Sequence, residues 1–302
     1  MKIAAFPKCY LDEIAVARTM TVFEWIQDAR SLGADGLELY EGFLDSFDDG
    51  YLATVGEALS AAGFEMPMLC CSPDFTHPDG DARRRAVDRE AALMRVTRFL
   101  GGPGASCRVL TGQRHPGVGL EQGLEYAVSA ISSLIPLARE LNVVLAIENH
   151  YKDGLWKYPE FAQRKDVFLR VLGAIDEREH FGVQYDPSNA IVAGDDPVAL
   201  LRDVLDRVVT MQASDRSLEP GTTLESLRQA DGRAGYAKGL RHGIVGQGLN
   251  DYDTIFALLS GAGYDGWVSV EDGMNGLDEI RQSVDFLKVM REKYFSNGTG
   301  VR

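Results

Sequence analysis

Short apolar segments alternate with longer amphipathic segments along the whole chain of 302 residues. The apolar segments are rich in β-branched and aromatic residues, as buried parallel strands are. Between them the apolar positions follow a helical period; in TVFEWIQDARSLGADG, Thr21 and Glu24 predict a capped helix start, and Gly33 predicts its end. The pattern predicts eight strands, at residues 2–6, 36–39, 65–70, 107–110, 143–147, 181–185, 208–212 and 267–270.

Eight strands, each followed by a helical pattern, predict a (β/α)₈ TIM barrel, because right-handed crossovers place the helices outside a closed parallel sheet. A doubly wound open sheet is the rival fold, but the turn after the first strand, PKCYLDEIA, has no glycine for a dinucleotide. We therefore expect one domain over residues 1–302. The stretch 217–248 lacks a strong period, which predicts a long loop over the carboxyl ends of the strands.

Composition narrows the classes of partner. The formal net charge of −14 argues against a nucleic-acid partner, because phosphate binding needs clustered Lys and Arg. No apolar run approaches the roughly 18 residues that a membrane helix needs, so no membrane partner is expected. The cysteines form no CxxC pair, and we interpret them as reduced, buried thiols of a cytoplasmic protein rather than as zinc or redox groups. They are Cys9, Cys70, Cys71 and Cys107.

Polar side chains follow the predicted strands at the carboxyl ends, where a TIM barrel carries its chemistry. Strand five ends in Glu148 and His150, whose spacing of two places both side chains on one face. Carboxylates that meet in a dry barrel mouth repel one another, and a divalent cation relieves that repulsion. Further oxygen ligands end the next three strands: Gln184 and Asp186, then Gln212, Ser214 and Asp215, then Glu271 and Asp272.

Four of these strand ends, LAIENH, GVQYDPSN, TMQASD and VSVEDG, resemble the metal-binding strand ends of the xylose isomerase-like barrels, the sugar-phosphate isomerase and epimerase proteins. The resemblance spans nearly the whole chain and is most specific over residues 143–273. It implies that Glu148, Asp186 and Glu271 bind a divalent metal. Gln212 stands where the family usually has a histidine. The ligand set is then all oxygen, which favours Mn²⁺ or Mg²⁺ over Co²⁺ or Zn²⁺.

The resemblance implies an isomerase or epimerase that acts on a keto-sugar or keto-polyol through an enediolate, with Glu148 and Glu271 as acid and base. His150 leaves a second reading open, since it is either a base itself or the residue that orients Glu148. As a base it fits a metal-dependent lyase that eliminates the C1 substituent of a 3-oxo-glycoside, or an inosose dehydratase. IENHYKDGLWKYPEF also resembles the catalytic subunits of C-glycoside deglycosidases.

Two further classes rank lower. A phosphate-cleaving endonuclease of this fold holds its metals with many histidines, whereas this chain has five, mostly outside the strand ends. The second class is a non-enzymatic barrel that has lost its activity because Gln212 replaces a metal ligand. Failure to bind any divalent metal would support it.

Five side chains outside the metal set are predicted to contact the substrate. Trp156, with Tyr151 and Tyr158, forms either an aromatic wall for a sugar or ordinary loop packing. His242 lies in the long loop, where it would close over the site. The expected partner is a small sugar or glycoside; a homo-oligomer is also expected, and a second kind of subunit stays open. The five residues are Arg114, Lys152, Trp156, Arg216 and His242.

Overall fold

The computed structural model describes residues 1–152, 154, 156–229 and 239–295. The main sheet contains β1 (Lys2–Ala5), β2 (Gly36–Leu37), β3 (Leu39–Tyr40), β4 (Met68–Cys70), β5 (Ser106–Val109), β6 (Val144–Glu148), β7 (Phe181–Tyr185), β8 (Val208–Ala213) and β11 (Trp267–Val270). Its strands are parallel and pair in the order β2-β1-β11-β8-β7-β6-β5-β4-β3.

This sheet closes into the predicted TIM barrel, which is confirmed. β2 and β3 are two halves of one barrel strand, interrupted at Glu38. Leu37 N donates to the carbonyl oxygen of Glu65 at 2.9 Å, and Gly36 bridges to the same residue in parallel. Glu65 precedes β4, so these contacts join the two edges of the sheet.

Helices follow the strands. They are α1 (Leu11–Ala15), α2 (Val22–Ala29), α3 (Asp49–Ala62), α4 (Gly80–Gly101), α5 (Leu120–Leu141), α6 (Lys165–Gly173), α7 (Pro187–Val192), α8 (Pro197–Val204), α9 (Leu224–Gln229), α10 (Tyr252–Gly261) and α11 (Leu277–Phe295). The predicted cap of α2 is confirmed, since Thr21 and Glu24 exchange hydrogen bonds as a capping box. Within the described residues, no helix combines the length and apolarity needed to cross a lipid bilayer.

Two predicted strands differ from the structure. The strand predicted at 65–70 shrinks to Met68–Cys70, because Pro67 has no N–H to donate to the sheet. The strand predicted at 36–39 breaks at Glu38, whose side chain is fully buried and accepts a hydrogen bond from Gln212 in β8. The break therefore lies where a carboxylate enters the barrel.

The long stretch after β8 is more ordered than predicted, which corrects the expectation of a plain loop over 217–248. It contains a hairpin of β9 (Arg216–Leu218) and β10 (Leu240–His242), with α9 between them. Leu227 and Leu240 pack on Ile191 and Val192 of α7. These elements are too short to show a period, so packing rather than pattern determines them. Residues 230–238 lie outside the described residues.

Apart from the small cluster on α7, the core is one continuous apolar cluster that runs from Ile3 in β1 to Met290 in α11. Towards the carboxyl ends of the strands the interior becomes polar, with Arg108, Gln184 and Gln212 all buried. Buried polar groups cost free energy unless they find partners. The polar interior therefore makes this end of the barrel the candidate location of a functional site. The single domain over 1–302 stays a prediction.

Candidate active site

A cavity of about 540 Å³ opens at the carboxyl ends of the barrel strands. Small-molecule sites in proteins usually measure about 300–1,000 Å³. One wall is apolar, with Phe6, Leu11 and Met274. The charged and titratable side chains that line it include Lys8, Arg108, His150, Lys152, His242 and Glu271.

The four predicted metal ligands stand on adjacent barrel strands. Glu148 ends β6, Asp186 follows β7, Gln212 lies in β8, and Glu271 follows β11; these strands neighbour one another in that order. Parallel strands bring their carboxyl ends to one edge, so the four side chains gather at this end of the barrel. Of the four, Glu271 lines the cavity, and the other three are buried next to it in the strand order. The charges of Glu148, Asp186 and Glu271 act on one another there.

Glu148 is 2% exposed, and both of its oxygens have partners. Arg108 Nη1 donates to Oε2 at 2.8 Å, and Asn189 Nδ2 donates to Oε1 at 2.8 Å. Arg108 also donates to the carbonyl oxygen of Cys71 and to the hydroxyl of Ser72, so its guanidinium is held in place. Burial raises the pKa of the Glu148 carboxyl to about 8, although the charge of Arg108 opposes that shift.

Glu271 accepts a hydrogen bond from Lys8 Nζ at 2.8 Å. Burial alone would raise the pKa of Glu271, but the charge and hydrogen bond of Lys8 outweigh it, so this pKa lies below its ordinary value. The two outer carboxylates of the set therefore each contact a cation, Arg108 from β5 for Glu148 and Lys8 from the turn after β1 for Glu271.

The two inner residues keep free oxygen atoms. Asp186 Oδ1 accepts from the Ser214 hydroxyl at 2.8 Å and from the backbone N–H of Asn189, whereas Oδ2 is buried with no hydrogen-bond partner among the described residues. Gln212 donates from Nε2 to Glu38 at 2.9 Å, which leaves Oε1 buried and likewise without a partner there. Burial raises the pKa of Asp186 to about 7.

These residues fit a hard divalent metal by donor type. Buried polar atoms without partners are rare, and here two such oxygens lie between two carboxylates. A divalent cation would offset the charge that burial makes costly. Across the described residues, the oxygens of Glu148, Asp186 and Glu271 do not all lie within 4.8 Å of one another. Lys8 and Arg108 hold the two outer carboxylates instead, so a metal would have to compete with both cations.

His150 lines the cavity beside this set, with its side chain 11% exposed. Burial, with the charges of Arg108 and Lys8, lowers the pKa of His150 well below its ordinary value, so the imidazole is neutral. Its Nδ1 lies 3.8 Å from Oε2 of Glu160 and has no hydrogen-bond partner among the described residues. No hydrogen bond joins it to Glu148 there, which weakens the reading of His150 as the residue that orients Glu148.

The predicted substrate contacts divide into two groups. Lys152 and His242 line the cavity, and His242 Nδ1 lies 2.8 Å from Oδ1 of Asp272. Arg216 is 3% exposed, and its guanidinium stacks on the ring of Tyr151, a cavity residue, at 5.2 Å.

Arg114 and Trp156 do not line this cavity. Arg114 donates to Gln163 and to the carbonyl oxygen of Glu160. Trp156 packs edge-on behind His150, with the ring centroids 6.1 Å apart. Both residues therefore support the loop that carries His150.

Sequence reasoning missed Lys8, Arg108 and Asn189. Lys8 follows β1, so its signal is its position after a strand end, where a TIM barrel carries its chemistry. Arg108 stands in β5 among apolar residues, and a charge inside a buried strand is a signal in itself. Asn189 had no local signal, because only the packing of α7 brings it to Glu148.

Two curated proteins are similar to part of the chain. A probable endonuclease 4 of Methanoculleus marisnigri is 29% identical over 154 residues, which cover 49% of this chain and 51% of that protein. An inosose dehydratase of Lacticaseibacillus casei is 20% identical over 200 residues, or 61% of this chain and 63% of that protein. The chain thus spans about half the length of the first relative and somewhat less than two thirds of the length of the second.

Solved structures match over nearly the whole length. A D-tagatose 3-epimerase-like protein superposes with a TM-score of 0.74 at 15% identity, covering 97% of this chain and 98% of that one. A zinc-bound IolI protein gives 0.73 at 15% identity, covering 98% and 100%. The 3-keto-D-glucoside 4-epimerase of E. coli gives 0.69 at 15% identity, covering 97% and 99%. At such identities these likenesses show the fold alone.

The model of one protein family covers most of the chain. It describes the xylose isomerase-like TIM barrels and matches residues 26–290, which include all four of the predicted metal ligands. The match agrees with the closed parallel barrel and with the polar mouth at its carboxyl end. This chain belongs to the xylose isomerase-like TIM barrel family.

Proposed function

We propose that this protein is a metal-dependent epimerase or isomerase of a keto-sugar or keto-polyol. One observation carries the proposal. Glu148 and Glu271 stand on the two outer strands of a four-strand set, with Asp186 and Gln212 on the strands between them. A substrate bound over Asp186 and Gln212 would have the carboxylate of Glu148 on one side and that of Glu271 on the other.

The chain supplies the proton transfers. One carboxylate takes the proton from the carbon beside the ketone, and the other returns a proton to the opposite face, so no proton is gained or lost overall. The roles of Glu148 and Glu271 exchange with the epimer that is bound. Lys8 and Arg108 place positive charge next to the enediolate oxygens that form between these steps.

The proposed ligands are Glu148, Asp186, Gln212 and Glu271. A divalent metal, when bound, would hold and polarise the ketone and its neighbouring hydroxyl. A set of four oxygen ligands favours Mn²⁺ or Mg²⁺. Co²⁺ or Zn²⁺ would bind the same ligands with less preference. The zinc-bound structural neighbour and the family epimerases support a metal-dependent sugar enzyme of this kind.

A lyase is the second candidate, and His150 favours it. The ring lines the cavity, is neutral, and carries a nitrogen with no hydrogen-bond partner among the described residues. In this reading His150 takes the proton beside the ketone, and the electron pair then expels the substituent one carbon further on. The substrate would be a 3-oxo-glycoside that loses its C1 group, or an inosose that loses water. The inosose dehydratase relative supports this alternative.

An endonuclease finds less support, despite the similarity of half the chain to a probable endonuclease 4. The described mouth has His150 and His242 as its only lining histidines. The net charge of −14 also opposes a polyanionic substrate.

The test is proton exchange with solvent. Ketoses, inososes and 3-oxo-glycosides are incubated with the Mn²⁺-loaded protein in D₂O and followed by NMR. Deuterium in a pair of epimers supports the first proposal, and release of water or an aglycone supports the second. No exchange in any substrate, with metal bound, would remove both.

Variants separate the two mechanisms. Glu271→Gln should lower the rate of proton exchange by at least about 100-fold, which is the usual contribution of a positioned acid or base. The exposed Glu65→Gln is the matched control and should leave exchange unchanged. His150→Ala should abolish elimination if the lyase reading holds, and should spare epimerisation.

A further inference from the structure

Three side chains outside the mouth meet in the layer between the barrel and a helix. Cys71 follows β4, Cys107 lies in β5, and Glu90 faces them from α4; each is at most 1% exposed. Among the described residues they are the one set of three acidic, histidine or cysteine side chains whose ligand atoms all lie within 4.8 Å of one another. They lie 17 to 36 residues apart in the chain, so no short sequence motif reveals them.

This cluster is separate from the mouth. Successive residues of a strand point to opposite faces, so Cys107 faces α4 while Arg108 faces the barrel interior. Arg108 Nη1 accordingly contacts Glu148, whereas Cys107 Sγ lies 3.3 Å from Oε1 of Glu90. The wall of strands β4 and β5 lies between the two sites.

Glu90 is a buried acid with no salt bridge among the described residues, although the charge of Arg108 acts on it from a distance. The hydrogen bond that the structure shows for its side chain comes from the thiol of Cys107. A buried carboxyl normally has a charged partner or several strong donors, because its transfer from water is costly. Two thiols are weak donors. The acid therefore stands where its neighbours give it little stabilisation.

The spacing matches a tetrahedral metal. Zinc lies about 2.3 Å from sulfur and about 2.1 Å from a carboxylate oxygen, which sets sulfur–sulfur and sulfur–oxygen edges of about 3.8 Å and 3.6 Å. Cys71 Sγ and Cys107 Sγ are 3.8 Å apart, and the Cys107 Sγ to Glu90 Oε1 distance is 3.3 Å. The ligand atoms thus already stand near their positions in a metal site.

We propose that Cys71, Glu90 and Cys107 form a second metal site, for Zn²⁺ or a similar thiophilic divalent cation. Thiolates select such ions over Mg²⁺ and Mn²⁺, so this site would differ in metal from the all-oxygen mouth. Three protein ligands suffice for zinc, which then takes one more ligand from outside the set. Binding would release the thiol protons and tie α4 to β4 and β5, a stabilising rather than catalytic role.

The test titrates the full-length reduced protein with Cd²⁺ in excess Mg²⁺, which thiolates do not bind. We expect one Cd²⁺ per chain and the ultraviolet charge-transfer band of a cadmium thiolate. The midpoint of thermal unfolding should rise with Zn²⁺, since the ion binds the folded chain. No band at stoichiometric Cd²⁺ would overturn the proposal. The proposal would also be overturned if mass spectrometry of the purified chain showed a loss of two hydrogens from a disulfide between Cys71 and Cys107.

Variants assign the ligands. Cys107→Ser and Cys71→Ser should each lose the band, and Cys9→Ser, at a half-buried thiol elsewhere, is the matched control that should keep it. Glu90→Gln keeps the packing and should weaken Cd²⁺ at least tenfold, which decides the matter if a cysteine variant fails to fold. A band that survives in both cysteine variants would refute the site. None of these readouts depends on the proposed activity.

Discussion

Lys8 Nζ lies 2.8 Å from Oε1 of Glu271, and this pair joins the first barrel strand to the last at the mouth of the cavity. The two side chains are 19% and 13% exposed. They are 263 residues apart in the chain, so the contact exists only because the barrel closes.

Lys8→Met should destabilise the protein, because Glu271 keeps its charge in a mostly buried place and loses its cation. We expect the free energy of unfolding to fall by about 1–3 kcal/mol, below the range for a fully buried pair. Urea unfolding measures it. Lys2→Met is the matched control: its pair with Glu65 is 51% and 61% exposed, and its loss should cost under about 0.5 kcal/mol. Equal losses in both variants would contradict the role given to burial.

The same variant should bind metal more tightly. In the structure the ammonium of Lys8 donates a hydrogen bond to Oε1 of Glu271, an atom of a proposed metal ligand. The metal therefore has to displace Lys8 from this oxygen. We expect the Kd for Mn²⁺, measured by calorimetry, to fall about tenfold in Lys8→Met, which corresponds to about 1.4 kcal/mol. Lys2→Met should leave this Kd unchanged. Weaker Mn²⁺ binding in Lys8→Met would show that Lys8 supports the metal rather than competing with it.

Gln212→His should change the preferred metal. An imidazole at this position replaces a hard amide oxygen with a nitrogen ligand, and nitrogen favours Zn²⁺ and Co²⁺. We expect the ratio of the Mn²⁺ Kd to the Zn²⁺ Kd to rise at least about tenfold, measured by competition with a chelator. Gln163→His, in the buried contact with Arg114 away from the mouth, is the control. An unchanged ratio would place Gln212 outside the ligand set.

Glu160→Gln should alter how stability depends on pH. Glu160 is 1% exposed, and its Oε1 accepts the backbone N–H groups of Thr111 and Gly112. Burial raises the pKa of Glu160 from 4.5 to about 8. Between these values the folded state holds more protons than the unfolded state, so this acid's contribution is complete below pH 4.5 and is lost as the pH rises to about 8.

Glutamine resembles the protonated acid and does not titrate. We therefore expect the variant and the wild type to differ by under about 1 kcal/mol at pH 5, and the variant to gain a few kcal/mol relative to the wild type by pH 8. Urea unfolding across this range measures the difference. Glu65→Gln, exposed and on the surface, should show no such trend. Parallel curves for Glu160→Gln and wild type would show an unshifted pKa at Glu160.

Gly182→Ala should weaken the barrel wall. A Cβ at Gly182 in β7 would collide with the side chain of Val209 and lie 2.8 Å from the carbonyl oxygen of Arg207. We expect a loss of about 2–3 kcal/mol in unfolding free energy, the cost of overpacking a strand. Gly173→Ala is the control, since nothing lies within 4 Å of a Cβ there. It should be neutral or stabilise the helix by up to about 1 kcal/mol. Similar losses at both positions would contradict the collision at Gly182.

Much of the candidate site was predictable from local patterns. Glu148 and Glu271 each end an apolar strand, and a barrel gathers such ends at one mouth. The hairpin around His242 was missed because two strands of three residues show no period. The spacing of Cys71 and Cys107 matches no metal motif and predicts plain buried thiols. Only the packing of α4 on the barrel brings the two together.

The amino-acid sequence by itself determined the alternation of strands and helices, the barrel, and which polar residues stand at the strand ends. These follow from backbone periods of two and 3.6 residues, which act over a few neighbours. Only the tertiary structure decided that Lys8 pairs with Glu271, that Arg108 pairs with Glu148, and that Asp186 keeps a free oxygen. A charged side chain that is removed from water needs an opposite charge beside it. Which two charges become neighbours is decided only when strands that are far apart in the chain come together in the closed barrel.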